Sequence, residues 1–156
     1  MTDATVREIQ ESDLPAIRPL IAELIGALDD PSGFDLDQAM ENCRALLARP
    51  DHHLLAARIR GTACGFLHLT TRQSLLHDRP TGLIDELVVS QEFRGQGIGR
   101  LLVDAALNRL RDLGCCDVEV STERSNLQAH EFYRKCGFDW EGVLFELHFP
   151  VGHPDA

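Results

Sequence analysis

The chain has 156 residues, 44% hydrophobic and 26% charged, the balance of one folded domain and not of a disordered or fibrous chain. Its 25 acidic residues against 15 basic ones leave a formal net charge of -10, which repels phosphate backbones and anionic bilayers and argues against nucleic acid and membrane as partners. No apolar run reaches the roughly 20 residues of a membrane span, residues 1–10 do not read as a signal peptide, and the five cysteines show no C-x-x-C spacing, so a cytoplasmic protein without a disulfide framework or zinc knuckle is expected.

Residues 6–9 (VREI) read as a first strand. Ser12 or Asp13 then caps a helix whose apolar positions Leu14, Ile17, Leu20, Ile21, Leu24 and Ile25 recur at helical spacing. Residues 26–33 form a loop around Asp29-Asp30-Pro31, and residues 34–47 carry a second helical pattern that ends near Pro50. Residues 53–59 and 63–70, joined at Arg60-Gly61, form a hairpin, and the polar residues 72–81 a loop. The most β-like run is LIDELVV, residues 83–89; a glycine-rich turn and a helix over 97–113 follow, stopped by Gly114. A strand at 117–121, a helix at 126–136 ended by Gly137, and two closing strands at 138–140 and 143–149 complete a β-α-α-β-β-β-α-β-α-β-β order, a mixed α/β domain. No repeat or linker divides it, so residues 1–156 are expected to be one domain.

Between the LIDELVV strand and the next helix, EFRGQGIGRLL places Gly95, Gly97 and Gly99 where the unpaired N–H groups and positive dipole end of a helix meet solvent. That is an anion cradle, in which glycine lets a phosphate approach the amides and supplies positive φ. The spacing lacks the GK[ST] of a nucleotide P-loop and the GxGxxG of a dinucleotide turn.

Residues 84–102, with Arg94-x-x-Gly97-x-Gly99 after ELVV, resemble the acyl-CoA-binding signature of the GNAT N-acetyltransferases. The segment SNLQAHEFYRKCGF, residues 125–138, looks like that family's later helix, with an Asn near its start, a Tyr in its middle and a Gly-Phe after it. The resemblance implies the acyl-CoA N-acyltransferase fold, a mostly antiparallel sheet of roughly six to seven strands flanked by about four helices. It also implies acetyl-CoA as cosubstrate and direct transfer of the acetyl group to an amine, with no acyl-enzyme at Cys136.

The resemblance assigns the residues as follows. Gly95 and the amides of Gln96, Gly97, Ile98, Gly99 and Arg100 bind the pyrophosphate, and Arg94 orders the turn or faces a phosphate. Leu87, Val88 and Val89 offer backbone to the pantetheine arm as an added strand. Asn126 caps its helix and is placed to meet the pantetheine. Tyr133, the only tyrosine, is the general acid for the departing thiolate, and Glu86 the general base that deprotonates the amine, with Glu119 as fallback. Side chains alternate along a strand, so Asp85 and Glu86 are not expected to share one cleft.

His77, His130 and the His52-His53 pair show no metal-ligand spacing, and no metal is expected. The His77-Asp78 loop leading into IDELVV, together with STERSNLQAHEFYRKCGF, is more similar to the small-molecule branch that includes aminoalkylphosphonate N-acetyltransferases than to histone or ribosomal-protein acetyltransferases, which makes a small primary amine the expected acceptor. Arg72 and Arg79 are available for a phosphonate; Asp29, Asp30, Asp35 and Asp37 for a polyamine. Acceptor contacts fall in residues 28–36 and 71–81 and around Trp140, Phe145 and His148. A protein lysine or N-terminus as acceptor, and a non-catalytic CoA-binding module, are the alternatives. A homodimer through the sheet edge or the VLF run at 143–145 is compatible with the resemblance.

Overall fold

Antiparallel pairing follows chain order through β1 (Ala4–Glu8), β2 (His52–Ile59), β3 (Thr62–Arg72) and β4 (Thr81–Val89), and β5 (Asp117–Val120) joins β4 in parallel to close a five-stranded sheet. This computed structural model describes residues 3–150, in two compact units, Met1–Val120 and Ser121–Ala156. The helices are α1 (Leu14–Gly26), α2 (Leu36–Leu46), α3 (Ile98–Asp112) and, in the second unit, α4 (Leu127–Lys135).

Both faces of the sheet are covered, and successive residues of a strand turn to opposite faces. Leu54, Ala56, Phe66 and Val88 pack with Ile17, Leu20 and Ile21 of α1 and Met40 and Cys43 of α2 in one cluster. The intervening positions turn to α3: a Cβ on Gly65 would stand 2.8 Å from Leu102, and one on Gly82 2.6 Å from Leu110. Those two glycines let α3 lie directly on β3 and β4, which fixes where its N-terminus opens.

The expected cap of α1 is a different device. The Asp13 side chain lies in a 3-10 turn, Glu11–Asp13, accepts from the Gln10 N–H at 2.8 Å, and pairs with Arg7 of β1 and Arg58 of β2 at 2.8 and 2.7 Å. It ties α1's entry to the sheet instead of capping α1.

Among the described residues the sheet has five strands, against the expected six to seven. Residues 138–150 of the second unit form no strand, although Val143, Leu144, Phe145, Leu147 and Phe149 have strand-like composition, and Phe145 is 91% exposed. Composition alone cannot make a strand; its N–H and C=O groups need a partner edge.

A second departure lies inside β4. Thr71 pairs with Gly82 and Leu69 with Ile84, but His68 pairs with Glu86, so Asp85 is an extra residue, a β-bulge. In an unbroken strand Glu86 would share the α3-facing side of Ile84. The bulge turns it to the α1/α2 side, in step with Val88.

Candidate active site

At the bulge the carboxylates of Asp85 and Glu86 converge on one imidazole, against the expectation from strand alternation. His68 Nδ1 lies 2.6 Å from Glu86 Oε2 and 4.0 Å from Asp85 Oδ2. His68 Nε2 in turn meets His52 Nδ1 at 2.8 Å, the two rings stacked 5.1 Å apart at 15°. His68 is almost enclosed, its side chain 9% exposed, whereas the Glu86 side chain is 44% exposed and so accessible to a ligand. Burial raises the Asp85 carboxyl above its usual range, opposed by a hydrogen bond from Thr70 and by the nearby histidines. Burial and the adjacent His68 lower the proton affinity of His52. On α2, burial and the charge of Glu86 push the Cys43 thiol up to about 11, so it is no nucleophile at neutral pH.

β5 pairs with β4 only over Thr81 to Ile84, so residues 85–89 have no strand on that side among the described residues. Leu87, Val88 and Val89 therefore present backbone groups along an open edge. That edge runs into the turn before α3, where Gly95 and Gly97 have φ of 75° and 81°, the left-handed region that disfavours any other residue, and a Cβ on either would meet only open space. The first helical bond of α3 runs from the Leu101 N–H to the Gly97 carbonyl at 3.0 Å, so the N–H groups of Ile98 and Gly99 have no acceptor within the helix. An open edge leading to amides at a helix start suits a long ligand ending in a diphosphate.

Of the two roles open to Arg94, the structure shows ordering: its Nε donates to the Val89 carbonyl at 3.1 Å. Gln96 Nε2 donates to the Glu92 carbonyl at 3.4 Å, and Arg100 pairs with Asp104 at 2.9 Å. Glu23 of α1 clamps the same turn, accepting from Ser90 Oγ at 3.1 Å and the Gln91 N–H at 3.0 Å. Sequence reasoning missed Glu23, which looks like one more polar residue on an amphipathic helix. It also missed His68, whose only signal was a polar residue inside the apolar run FLHL.

Asn126 and Tyr133 lie on α4 in the second unit. Asn126 caps the helix, accepting from the Ala129 N–H at 3.0 Å. Tyr133 stacks edge-on with Phe132 and Phe138, and burial, with Cys136 close by, pushes its phenol up to about 12. Glu119 is engaged with Arg72 at 2.8 Å. Asp30 and Asp35 bond the N–H groups of Ser32 and Gln38, and Asp37 pairs with Arg18. Among the described residues no group of three His, Cys, Asp or Glu side chains is arranged to hold a metal, and no helix is long and apolar enough to cross a membrane.

The acetyltransferase (GNAT) family model matches residues 8–138. An aminoglycoside N(6')-acetyltransferase type 1 of Stenotrophomonas maltophilia is 27% identical over 138 residues, 86% of each chain. An aminoalkylphosphonate N-acetyltransferase of Salmonella typhimurium is 30% identical over 133 residues, 85% of this chain and 83% of the relative. Among solved structures, the aminoglycoside N-acetyltransferase AAC(6')-Iy in complex with CoA superposes with a TM-score of 0.83 over 97% of both chains at 18% identity, a likeness of fold. The chain belongs to the GNAT acetyltransferase family. It is an acetyl-CoA-dependent N-acetyltransferase with the family's mixed α/β fold.

Proposed function

We propose that the chain acetylates the primary amine of a small molecule, with Glu86 as general base and Tyr133 as general acid, residues 1–156 acting as one catalytic domain in the cytosol. The observation that carries this reading is the bulge in β4: it sets an accessible carboxylate at the start of the open edge that leads to the α3 amides. A ligand laid along Leu87, Val88 and Val89, with its diphosphate on the amides of Gln96 to Arg100, brings its reactive end toward Glu86. Acetyl-CoA, when bound, supplies the acetyl group as a thioester.

At neutral pH about one alkylamine in a thousand is unprotonated, so a base is needed. Glu86 takes one proton from the ammonium and leaves a nucleophilic nitrogen. As the N–C bond forms and the C–S bond breaks, Tyr133 protonates the sulfur, and the nitrogen's second proton leaves to solvent, from which Tyr133 is restored. The Tyr133 phenol, raised to about 12 by burial, carries its proton at neutral pH.

The names of the two relatives support a small amine as acceptor, one an aminoglycoside and the other an aminoalkylphosphonate. Two carboxylates at the bulge favour a cationic acceptor, and Arg72, already paired with Glu119, is not set aside for a phosphonate. The test is CoA-thiol release over a panel of aminoglycosides, polyamines and aminoalkylphosphonates, repeated with Glu86→Gln. A fall in kcat/KM of about 10²- to 10⁴-fold is expected for the variant. Unchanged turnover would remove Glu86 from the mechanism, and acetylation of peptides alone would replace the small-molecule reading.

A further inference from the structure

Partner chemistry assigns the protons in the His52–His68–Glu86 chain. A carboxylate oxygen only accepts, so the 2.6 Å contact needs the hydrogen on His68 Nδ1. If that is the one hydrogen His68 carries, its Nε2 is an acceptor and the hydrogen in the 2.8 Å contact sits on His52 Nδ1. Three neighbouring strands supply the three groups, and the bulge is what brings Glu86 into line.

We propose that His68 is the positioning residue of Glu86 and that His52, by donating to His68 Nε2, locks the tautomer that does it. The inference rests on Glu86 being the base. His68 holds Oε2, so Oε1 is the oxygen left to take the acceptor's proton, and the carboxylate keeps one orientation through the transfer. Asp85, 4.0 Å from the same nitrogen, is the competing acceptor. At 2.6 Å the short contact goes to Glu86. The other charged neighbours of His52 are Arg49 and Asp51, themselves paired at 2.9 Å. Enclosure of His68 matters here, because water at Nδ1 or Nε2 would offer both tautomers a partner.

The test combines spectroscopy and kinetics on the full chain. Long-range ¹H–¹⁵N spectra of histidine-labelled protein are expected to show both His68 and His52 protonated at Nδ1, and His68 becoming a tautomer mixture in His52→Ala. His68→Ala is expected to lower kcat about 10²-fold, the cost of a displaced catalytic group, with KM for acetyl-CoA unchanged. His68→Asn, whose amide N–H can replace Nδ1–H, is expected to recover most of that loss. A wild-type spectrum with the His68 proton on Nε2, or with both His68 nitrogens protonated, overturns the proposal and needs no variant to fold. So does a folded His68→Ala with wild-type kcat, or a His68→Asn as slow as the alanine. Loss of rate in Glu86→Gln with none in His68→Ala rejects the relay alone, whereas full rate in Glu86→Gln rejects the base and the relay with it.

Discussion

In the proposed mechanism Glu86 and Tyr133 carry opposite halves of one proton account, and the two groups stand in different settings. Glu86 sits with 44% of its side chain exposed and one oxygen held by His68, a carboxylate able to receive a proton from a ligand. Tyr133 lies among Phe132 and Phe138 in an apolar setting that favours the neutral phenol. Tyr133→Phe removes the proton and keeps the ring, so kcat is expected to fall roughly 10²-fold or more while the melting temperature holds. Equal turnover of the two proteins in the thiol-release assay would reject the general-acid role. Because the phenol is raised to about 12, Tyr133 keeps its proton through pH 9, and a decline in rate between pH 8 and 9 is not expected to disappear in this variant.

Among the elements, β4 and α3 do most to define the site. Their junction is set by α3 resting on Gly65 and Gly82, by Glu23 holding Ser90 and Gln91, and by Arg94 returning to Val89. Gly97 opens α3 at a φ of 81°, so Gly97→Ala strains the backbone by about 1 kcal/mol, a loss of roughly 2 to 4 °C in melting temperature. The same strain displaces the amides at the helix start. Acetyl-CoA binding by calorimetry is therefore expected to weaken by more than the stability loss accounts for; equal affinity would show that the turn does not bind the diphosphate.

For the whole molecule, Asp13 is an ionic junction that joins the approach to α1 with β1 and β2 through Arg7 and Arg58. The Arg7 hydrogen bond, then the Gln10 N–H, hold its carboxyl below the usual range, outweighing the cost of burial. A depressed folded value contributes stability above the unfolded value of about 3.9 and loses it as pH falls through the folded one. Asp13→Ala is expected to cost about 3 kcal/mol at pH 7, because Arg58, its side chain only 17% exposed, is left without a carboxylate, and to cost less below pH 4; a melting temperature offset that is constant from pH 3 to 7 would contradict this. Acetyl-CoA at 100 times its dissociation constant should add about 2.7 kcal/mol, roughly 5 to 10 °C, with free adenosine as control. No shift in the folded protein would count against the cradle reading.

The elements through α4 were legible in the sequence because each rests on near neighbours: apolar spacing for α1 and α3, the side-chain cap at Asn126, and glycine where φ is positive at Gly95 and Gly97. The family, too, was legible, because its two motifs are contiguous runs. Local pattern failed at residues 138–150, whose strand-like composition has no pairing edge among the described residues, and at Asp13, whose carboxylate finds two arginines that lie 6 and 45 residues away. The bulge decided the rest. Strand alternation sends Asp85 and Glu86 apart, and only the register of β3 against β4 shows them meeting at His68, with His52 behind it. Sequence determines what is set within a few residues of chain; the environment of Glu86 is set by three strands, and hydrogen-bond register between strands exists only once they have folded together.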